Sequence, residues 1–510
     1  MVSLVSSKKT GINIFSHWLL SIVNVLINFF LVGFVITRVG EENYGGWAGI
    51  VSIIGYLSLF DAGLSTAVQH YIARFSEMKE EKELISFFGS SVIIYGIVAV
   101  LTMLVCFVIA NIYPQIFTKV PPLASIECSQ ALKYVAVGML FMMLNIPISG
   151  TLIGLQQFYL RNISEIISLV IRAVSVFLLF SYWGNSLAYL GLSFLFASIM
   201  RFMLCIIFLK LVNPNIGLGL SSINKVSLKR LFSYGGHSAF WFLVTVIIRE
   251  SGPLIALLML SPTAASYFYI AAGLVSSFGT FIASPSQVFT PVASSLYMTN
   301  QIERLRVAIM RSTRMSCLFS FSLAVVLILY GRDIVYVWAK IKSPEPYHII
   351  IILTIGRIST WIFVNHLAML KGIHDLWAIT IMLAICLVAS ILLTPILTFF
   401  WQENGLAAGL VFPLFIAYAV WMPLRLSNKV QLKVKNILIY SIPIPLFVAL
   451  IIVLAGLVLN QFWPEESLYP LLLKFLILIT LALSLFITIG LDSESRKLIC
   501  SKIYNSGKNT

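Results

Sequence analysis

Long apolar stretches alternate with short polar segments along the whole chain, and this alternation predicts its secondary structure. One of these stretches, 91–113, reads SVIIYGIVAVLTMLVCFVIANIY, and a helix needs about 20 apolar residues to cross ~30 Å of hydrocarbon. Lipid offers no hydrogen bonds to the backbone, so only helices or closed barrels span it. Barrel strands would alternate apolar and polar residues over about ten positions, which these stretches do not. The pattern therefore predicts an all-α polytopic membrane protein.

Fourteen spans are expected, and the segments between them suggest how they are grouped. The spans lie at roughly 12–37, 44–69, 88–113, 131–155, 164–183, 187–210, 235–260, 264–290, 315–338, 347–370, 376–400, 404–426, 438–459 and 470–490. The Gly- and Ser-rich segment 211–234 is interpreted as a cytoplasmic linker between two six-helix lobes, 1–210 and 235–426, which are expected to enclose a central cavity. Residues 427–510 then supply two additional helices and a cytoplasmic tail.

The amino-acid composition excludes a soluble globular protein. Of the 510 residues, 59% are hydrophobic and only 10% are charged, whereas a soluble domain averages about 25% charged residues. The six cysteines are scattered, without the spacing of a redox or metal motif. They are expected to be buried apolar side chains, and no metal site is predicted.

The net charge of +15 is distributed unevenly across the predicted membrane. With the N-terminus inside, 23 of the 34 Lys and Arg residues lie in inner segments and 7 in outer ones. The positive-inside rule then places both termini in the cytoplasm. Because the charges are divided among short loops, nucleic-acid binding is not expected. Lys474 in the last span is expected to snorkel outward.

Four arginines lie well inside predicted spans, at Arg172, Arg201, Arg249 and Arg357. A charge at the bilayer centre costs roughly 2.5–3.5 kcal/mol on insertion scales, so such residues are functional candidates. These arginines are expected to give the central cavity a cationic lining. A structural ion pair and snorkelling to the interface are the alternative interpretations.

Three carboxylates are candidates for coupling or gating: Asp61, Glu165 and Glu250. Asp61 is equally well interpreted as a helix cap. Glu250 adjoins Arg249 but is about 100° around the helix from it, so the two side chains are not expected to face each other.

Polar side chains also recur at helical spacing along one face of several spans, where they are expected to line the cavity. The lining candidates are Asn24, Asn28, Ser65, Gln69, Thr280, Gln287 and Asn365. No nucleotide-binding, protease or esterase motif occurs, so no catalytic residue is predicted, and a transporter is favoured over an enzyme.

The segment 42–75, ENYGGWAGIVSIIGYLSLFDAGLSTAVQHYIARF, follows a first span that ends in ITRVG. With its YGxW, its LFDxGL and the basic segment around YIAR, it resembles the start of the bacterial polysaccharide-unit flippases. These Wzx-like O-antigen and exopolysaccharide transporters belong to the multidrug/oligosaccharidyl-lipid/polysaccharide exporter superfamily. The local likeness covers about 35 residues, and the number of spans and the lobe plan extend it to most of the chain.

This resemblance implies alternating access and a cargo of polyprenyl (undecaprenyl)-diphosphate-linked oligosaccharide, moved from the inner to the outer leaflet of the bacterial cytoplasmic (inner) membrane for the synthesis of O-antigen (lipopolysaccharide) or another surface polysaccharide. The diphosphate would then bind in the cationic cavity of Arg172, Arg201, Arg249 and Arg357, because a guanidinium fork matches phosphate oxygens. It implies membrane lipids as surroundings, and the polymerase and chain-length machinery of the same pathway as partners. No cofactor is expected, and a proton or sodium gradient is the candidate energy source. A drug/cation antiporter of the same superfamily is an alternative, although it would usually carry acidic cavity groups. A glycan polymerase or ligase is a further alternative, although such enzymes generally need a large outer loop.

Overall fold

A computed structural model of the chain describes residues 7–61, 63–216, 225–463, 468–485 and 488. Within these residues all regular structure is helical. The α-helices are α1 (Ser7–Val39), α2 (Glu41–Leu57), α3 (Leu64–Glu77), α4 (Glu81–Ile116), α5 (Pro122–Gly154), α6 (Phe158–Tyr182), α7 (Ala188–Val212), α8 (Lys225–Ile255), α9 (Pro262–Ala283), α10 (Phe289–Met298), α11 (Ile302–Ala339), α12 (Glu345–Ile362), α13 (Val364–Gly372), α14 (Leu376–Ile416), α15 (Met422–Val430), α16 (Val434–Ser441), α17 (Pro443–Phe462) and α18 (Leu468–Leu485).

The predicted spans correspond to these helices. Eleven helical segments of the described chain are long and apolar enough to cross a membrane, and the bent pair α2–α3 makes a twelfth. One of the eleven, Leu376–Val430, contains two of the predicted spans, and the shorter apolar helix Tyr469–Ala482 corresponds to the last one. The all-α polytopic prediction is therefore confirmed.

The segment Leu376–Val430 is a helical hairpin. Gln402 has a φ of +49° and a ψ of −129° within α14, a non-helical conformation that interrupts the helix. Beyond it, a Cβ on Gly405 would lie 1.8 Å from the carbonyl oxygen of Leu397, and one on Gly409 would lie 2.5 Å from Cα of Thr394. Residues that follow the break thus pack in reverse order against those that precede it, so the two arms are antiparallel and touch through glycine.

The second span is broken near its middle. A short 3₁₀ segment, Ser58–Asp61, follows α2, and Gly63 then adopts a left-handed φ of 72° before α3 begins. The two helices meet at an angle of 46°. Glycine tolerates this conformation at little steric cost.

The chain divides into two compact units, Met1–Ser266 and Tyr267–Thr510. In the first unit, α5 packs against α4 and α7, and α8 packs against α2 and α3. In the second unit, α11 packs against α12, α16 and α17. The predicted linker between the lobes is 211–234, whereas the two compact units divide between Ser266 and Tyr267, so α8 belongs to the first unit.

Two expectations about individual side chains can be compared with the structure. Five cysteines are free and buried, as predicted, and Cys500 lies outside the described residues. The prediction that Lys474 snorkels outward is wrong, because this residue is only 3% exposed. Its ammonium group donates to Oδ1 of Asn460 at 3.0 Å and lies 5.5 Å from the ring centroid of Tyr330. An amide oxygen and an aromatic face replace water around this cation.

Candidate functional site

Asp61 lies at the break in the second span and caps the helix that follows. Its carboxylate accepts hydrogen bonds from the backbone N–H of Ser65 at 3.1 Å and from the Ser65 hydroxyl at 2.7 Å. The hydroxyl of Tyr95 on α4 donates to the same carboxylate. A side-chain oxygen that accepts a first-turn N–H is a helix cap, so Asp61 has the capping geometry that was one of its two predicted roles. Gln69, one turn after Ser65, is half-buried on α3.

Glu165 binds two arginines from neighbouring helices. Its Oε2 lies 2.7 Å from Arg161 one turn earlier on α6, and 3.1 Å from Arg201 on α7. All three side chains are about three-quarters buried, and together they carry a net charge of +1. Arg161 was not among the predicted site residues, because the fifth span was expected to start at 164 whereas α6 starts at Phe158. The i,i+4 spacing from Glu165 is the signal that could have identified it.

A polar network extends from this cluster into the interior of the first unit. Arg161 donates to Oδ1 of Asn162 at 3.1 Å, and the amide of Asn162 donates to Oγ of Ser16 on α1 at 3.0 Å. Oγ of Ser164 lies 3.1 Å from Sγ of Cys205 on α7. These contacts join α1, α6 and α7 around the arginines, which fixes where the guanidinium groups lie.

Two further arginines of the predicted site, Arg172 and Arg357, lie at other positions of the helices. Arg172 is half-buried on α6, two turns beyond Glu165. Arg357 is half-buried on α12 in the second unit, where Thr360 donates to its backbone carbonyl at 2.6 Å. Thus Arg201 shares a carboxylate with Arg161, while Arg172 and Arg357 occupy other helical positions.

Arg249 and Glu250 form an ion pair on α8, which overturns the expectation that they do not face each other. Nε of Arg249 donates to Oε1 of Glu250 at 2.6 Å, with the side chain of Arg249 60% exposed and that of Glu250 14% exposed. Adjacent residues do leave the helix about 100° apart. However, both side chains are long enough to curve toward each other once one is held against a neighbouring helix.

The remaining lining candidates have different environments. Asn24 and Asn28 are exposed on α1, where the Asn28 amide donates to the Asn24 carbonyl at 2.9 Å. Thr280 is exposed on α9 and donates to Ser276 O at 2.9 Å. The side chain of Gln287 lies outside the described residues.

Asn365, which is predicted to line the cavity, is buried within the second unit. Its amide donates to the carbonyl of Ser312 at 3.1 Å and to Oγ of Ser316 at 2.8 Å, which ties α13 to α11. The neighbouring His366 is fully buried, and neither ring nitrogen has a hydrogen-bond partner within the described part of the chain.

A carboxylate that was not among the predicted site residues lies in the turn between α13 and α14. Asp375 accepts Nε of Arg425 at 2.7 Å and a terminal nitrogen of the same guanidinium at 3.0 Å, and Lys429 lies 3.8 Å away. The hydrogen bonds from Arg425 hold the pKa of Asp375 below its usual value. This bidentate pair ties α15 to the start of α14.

Solved structures share this fold. Lipid II flippase MurJ in an inward closed conformation superposes with a TM-score of 0.70 at 16% identity, over 92% of this chain and 97% of that one. An inward-facing multidrug resistance MATE family transporter of the MOP superfamily gives 0.69 at 15% identity, over 81% and 95%. A MOP superfamily transporter from Pyrococcus furiosus gives 0.55 at 15% identity, over 81% and 94%.

Sequence comparison assigns the family. No curated protein sequence matches the chain. The family model of polysaccharide biosynthesis proteins matches residues 11–297, more than half of the 510 residues. That range includes the YGxW and LFDxGL segment and the pairs formed by Glu165 and Glu250. The chain is therefore a member of the polysaccharide biosynthesis protein family with the fold of the MOP superfamily transporters.

Proposed function

We propose that this protein is a flippase that moves polyprenyl (undecaprenyl)-diphosphate-linked oligosaccharide units from the inner to the outer leaflet of the bacterial cytoplasmic membrane. The observation that carries the proposal is the set of arginines within apolar helices, one of which, Arg249, presents an exposed guanidinium. Membership of the polysaccharide biosynthesis family and the MOP fold support it. Alternating access is the proposed mechanism, and O-antigen or another surface polysaccharide is the proposed product.

The chemistry of the cargo explains the choice of residues. A diphosphate carries negative charge and several acceptor oxygens, and a guanidinium fork binds two such oxygens at once. Arg172, Arg201, Arg249 and Arg357 are the proposed contacts. The prenyl chain stays in lipid, where it needs no polar partner. A cationic drug would instead call for several carboxylates without a counter-charge. Glu165 and Glu250 are each bound to arginine, and the third candidate, Asp61, is engaged by Ser65 and Tyr95 in a helix cap.

The remaining assignments extend the same proposal. Both termini lie in the cytoplasm, because the basic segments then face inward. A proton or sodium gradient supplies the energy. The polymerase and chain-length machinery of the pathway receive the translocated units, and the protein itself carries out no covalent chemistry.

The leaflet distribution of lipid-linked glycans in a deletion strain tests the proposal. Completed units that accumulate on the inner leaflet, with loss of surface polymer, would support a flippase. Single units that accumulate on the outer leaflet would instead indicate a polymerase or ligase. Unchanged lipid-linked glycans would favour a drug antiporter.

Complementation of that strain tests the arginines. At normal protein levels, Arg249→Gln and Arg357→Gln should each fail to restore surface polymer, because each removes a guanidinium. The matched control is Arg304→Gln, which neutralises an exposed arginine in the first turn of α11. Full restoration by either span variant would remove that arginine from the site.

A further inference from the structure

A glycine, a carboxylate and a guanidinium meet where α2 packs against α8 in the first unit. A Cβ on Gly55 would lie 2.4 Å from both Cγ and Cδ of Glu250 and 2.8 Å from its Oε2. Real Cβ atoms do not approach other heavy atoms so closely, so the Glu250 side chain occupies space that only glycine leaves open.

The neighbouring residues fix the two helices in this register. The hydroxyls of Tyr56 on α2 and Ser251 on α8 lie 2.6 Å apart. This hydrogen bond joins the residues immediately after Gly55 and Glu250. Packing and hydrogen bonding at consecutive positions therefore leave the Glu250 carboxylate little freedom to move.

The guanidinium of Arg249 is held by one nitrogen only. Its Nε donates to Oε1 of Glu250, and in the described residues its two terminal nitrogens have no hydrogen-bond or ion-pair partner. A guanidinium is planar with five N–H groups, so fixing Nε also fixes the plane in which the other four N–H groups point. With the Arg249 side chain 60% exposed, these four donors face the surroundings of the helix.

We propose that Glu250 is a positioning residue that orients the Arg249 guanidinium for bidentate binding of a phosphoryl group of the substrate. Because Gly55 has no Cβ, it leaves the space that the Glu250 side chain occupies. The inference rests on the proposed function and assigns Glu250 a role other than carrying a coupling proton. The Glu250 side chain stays bound to Arg249, and the terminal nitrogens of Arg249 contact the ligand.

Binding of undecaprenyl diphosphate to the purified full-length protein in nanodiscs, measured by native mass spectrometry, tests the assignment. Arg249→Lys keeps the charge without the fork and should weaken binding about tenfold. Glu250→Ala should weaken it by a comparable factor, and Glu250→Gln by less, because an amide oxygen still accepts the Nε–H. Gly55→Ala should match Glu250→Ala, while Gly96→Ala, which meets no atom within 4 Å, should bind as the wild type does.

A double variant separates positioning from loss of folding. In the Glu250→Ala background, Gly55→Ala should cost no further affinity, because the side chain that it displaces is gone. Equal binding by the wild type, Glu250→Ala and Gly55→Ala would overturn the inference. A wild type that does not bind undecaprenyl diphosphate would instead overturn the proposed function.

Transport into proteoliposomes under a pH gradient gives a second measurement. If Glu250 positions Arg249, the Glu250→Gln variant should have a higher apparent KM for the lipid-linked substrate. Its transport should still respond to the pH gradient. Loss of the response to the gradient, with binding intact, would show that Glu250 carries the coupling proton and would overturn the assignment.

Discussion

Replacing Glu165 with Gln tests whether this carboxylate holds the arginines of α6 and α7 in place. In the native protein it binds Arg161 and Arg201. The variant keeps the shape of the side chain but removes its charge. The two guanidinium groups then keep nearly their native positions but lose their counter-charge, so the net charge of the cluster rises from +1 to +2.

The expected loss follows from one hydrogen bond, donated by Arg201, and one i,i+4 ion pair, with Arg161. A hydrogen bond to a charged group contributes about 1.5–3 kcal/mol net, and an i,i+4 ion pair about 0.3–0.5 kcal/mol. The side chains retain 23–26% exposure, so the lower end of the first range applies and the total is about 2 kcal/mol. At about 2 °C per kcal/mol for a unit of this size, the apparent Tm should fall by about 4 °C.

Tryptophan fluorescence during heating of the purified protein measures this change. The matched control is Glu303→Gln, which removes a carboxylate that pairs with Arg306 but is 82% exposed. That variant should shift the Tm by less than about 2 °C. An unchanged Tm in Glu165→Gln, together with loss of transport, would refute the structural role and restore Glu165 as a coupling residue.

Three further predictions concern other parts of the molecule. The pKa of Asp375 is lowered by its bond to Arg425, so that bond stabilises the fold above the ordinary pKa of about 3.9 and is lost as pH falls through the lowered value. Thermal midpoints between pH 7 and pH 3 should show this acid-induced loss in the wild type and not in Asp375→Asn. Gly405→Ala should destabilise the hairpin by about 1–3 kcal/mol, seen as a lower Tm than Gly96→Ala, and equal midpoints would contradict the close approach. His366→Leu should raise the Tm, because it removes two buried ring nitrogens that have no hydrogen-bond partner among the described residues. An unpaired buried polar group costs about 1–3 kcal/mol of folding free energy, and a lower Tm in the variant would contradict this reasoning.

The helices could be predicted closely from the sequence, because hydropathy and length act locally. The expected spans at 376–400 and 404–426 match the two arms of the hairpin that turns near Gln402. The start of α6 was placed six residues too late, since Arg161 and Asn162 near its start resemble a loop. That error left Arg161 outside the predicted span and hid its pairing with Glu165.

The sequence by itself determined that the chain is an all-helical membrane protein with charges inside its spans. The physical reason is local, because each span must form its own backbone hydrogen bonds within the membrane and must be long and apolar enough to cross it. Only the tertiary structure decided which charges meet. Glu165 and Arg201 are 36 positions apart and pair because α6 packs against α7. Arg249 and Glu250 are adjacent and pair because α2 leaves space at Gly55. Such contacts depend on which helix faces lie together and on how far long side chains reach, and neither quantity is encoded in the spacing of residues along a single helix.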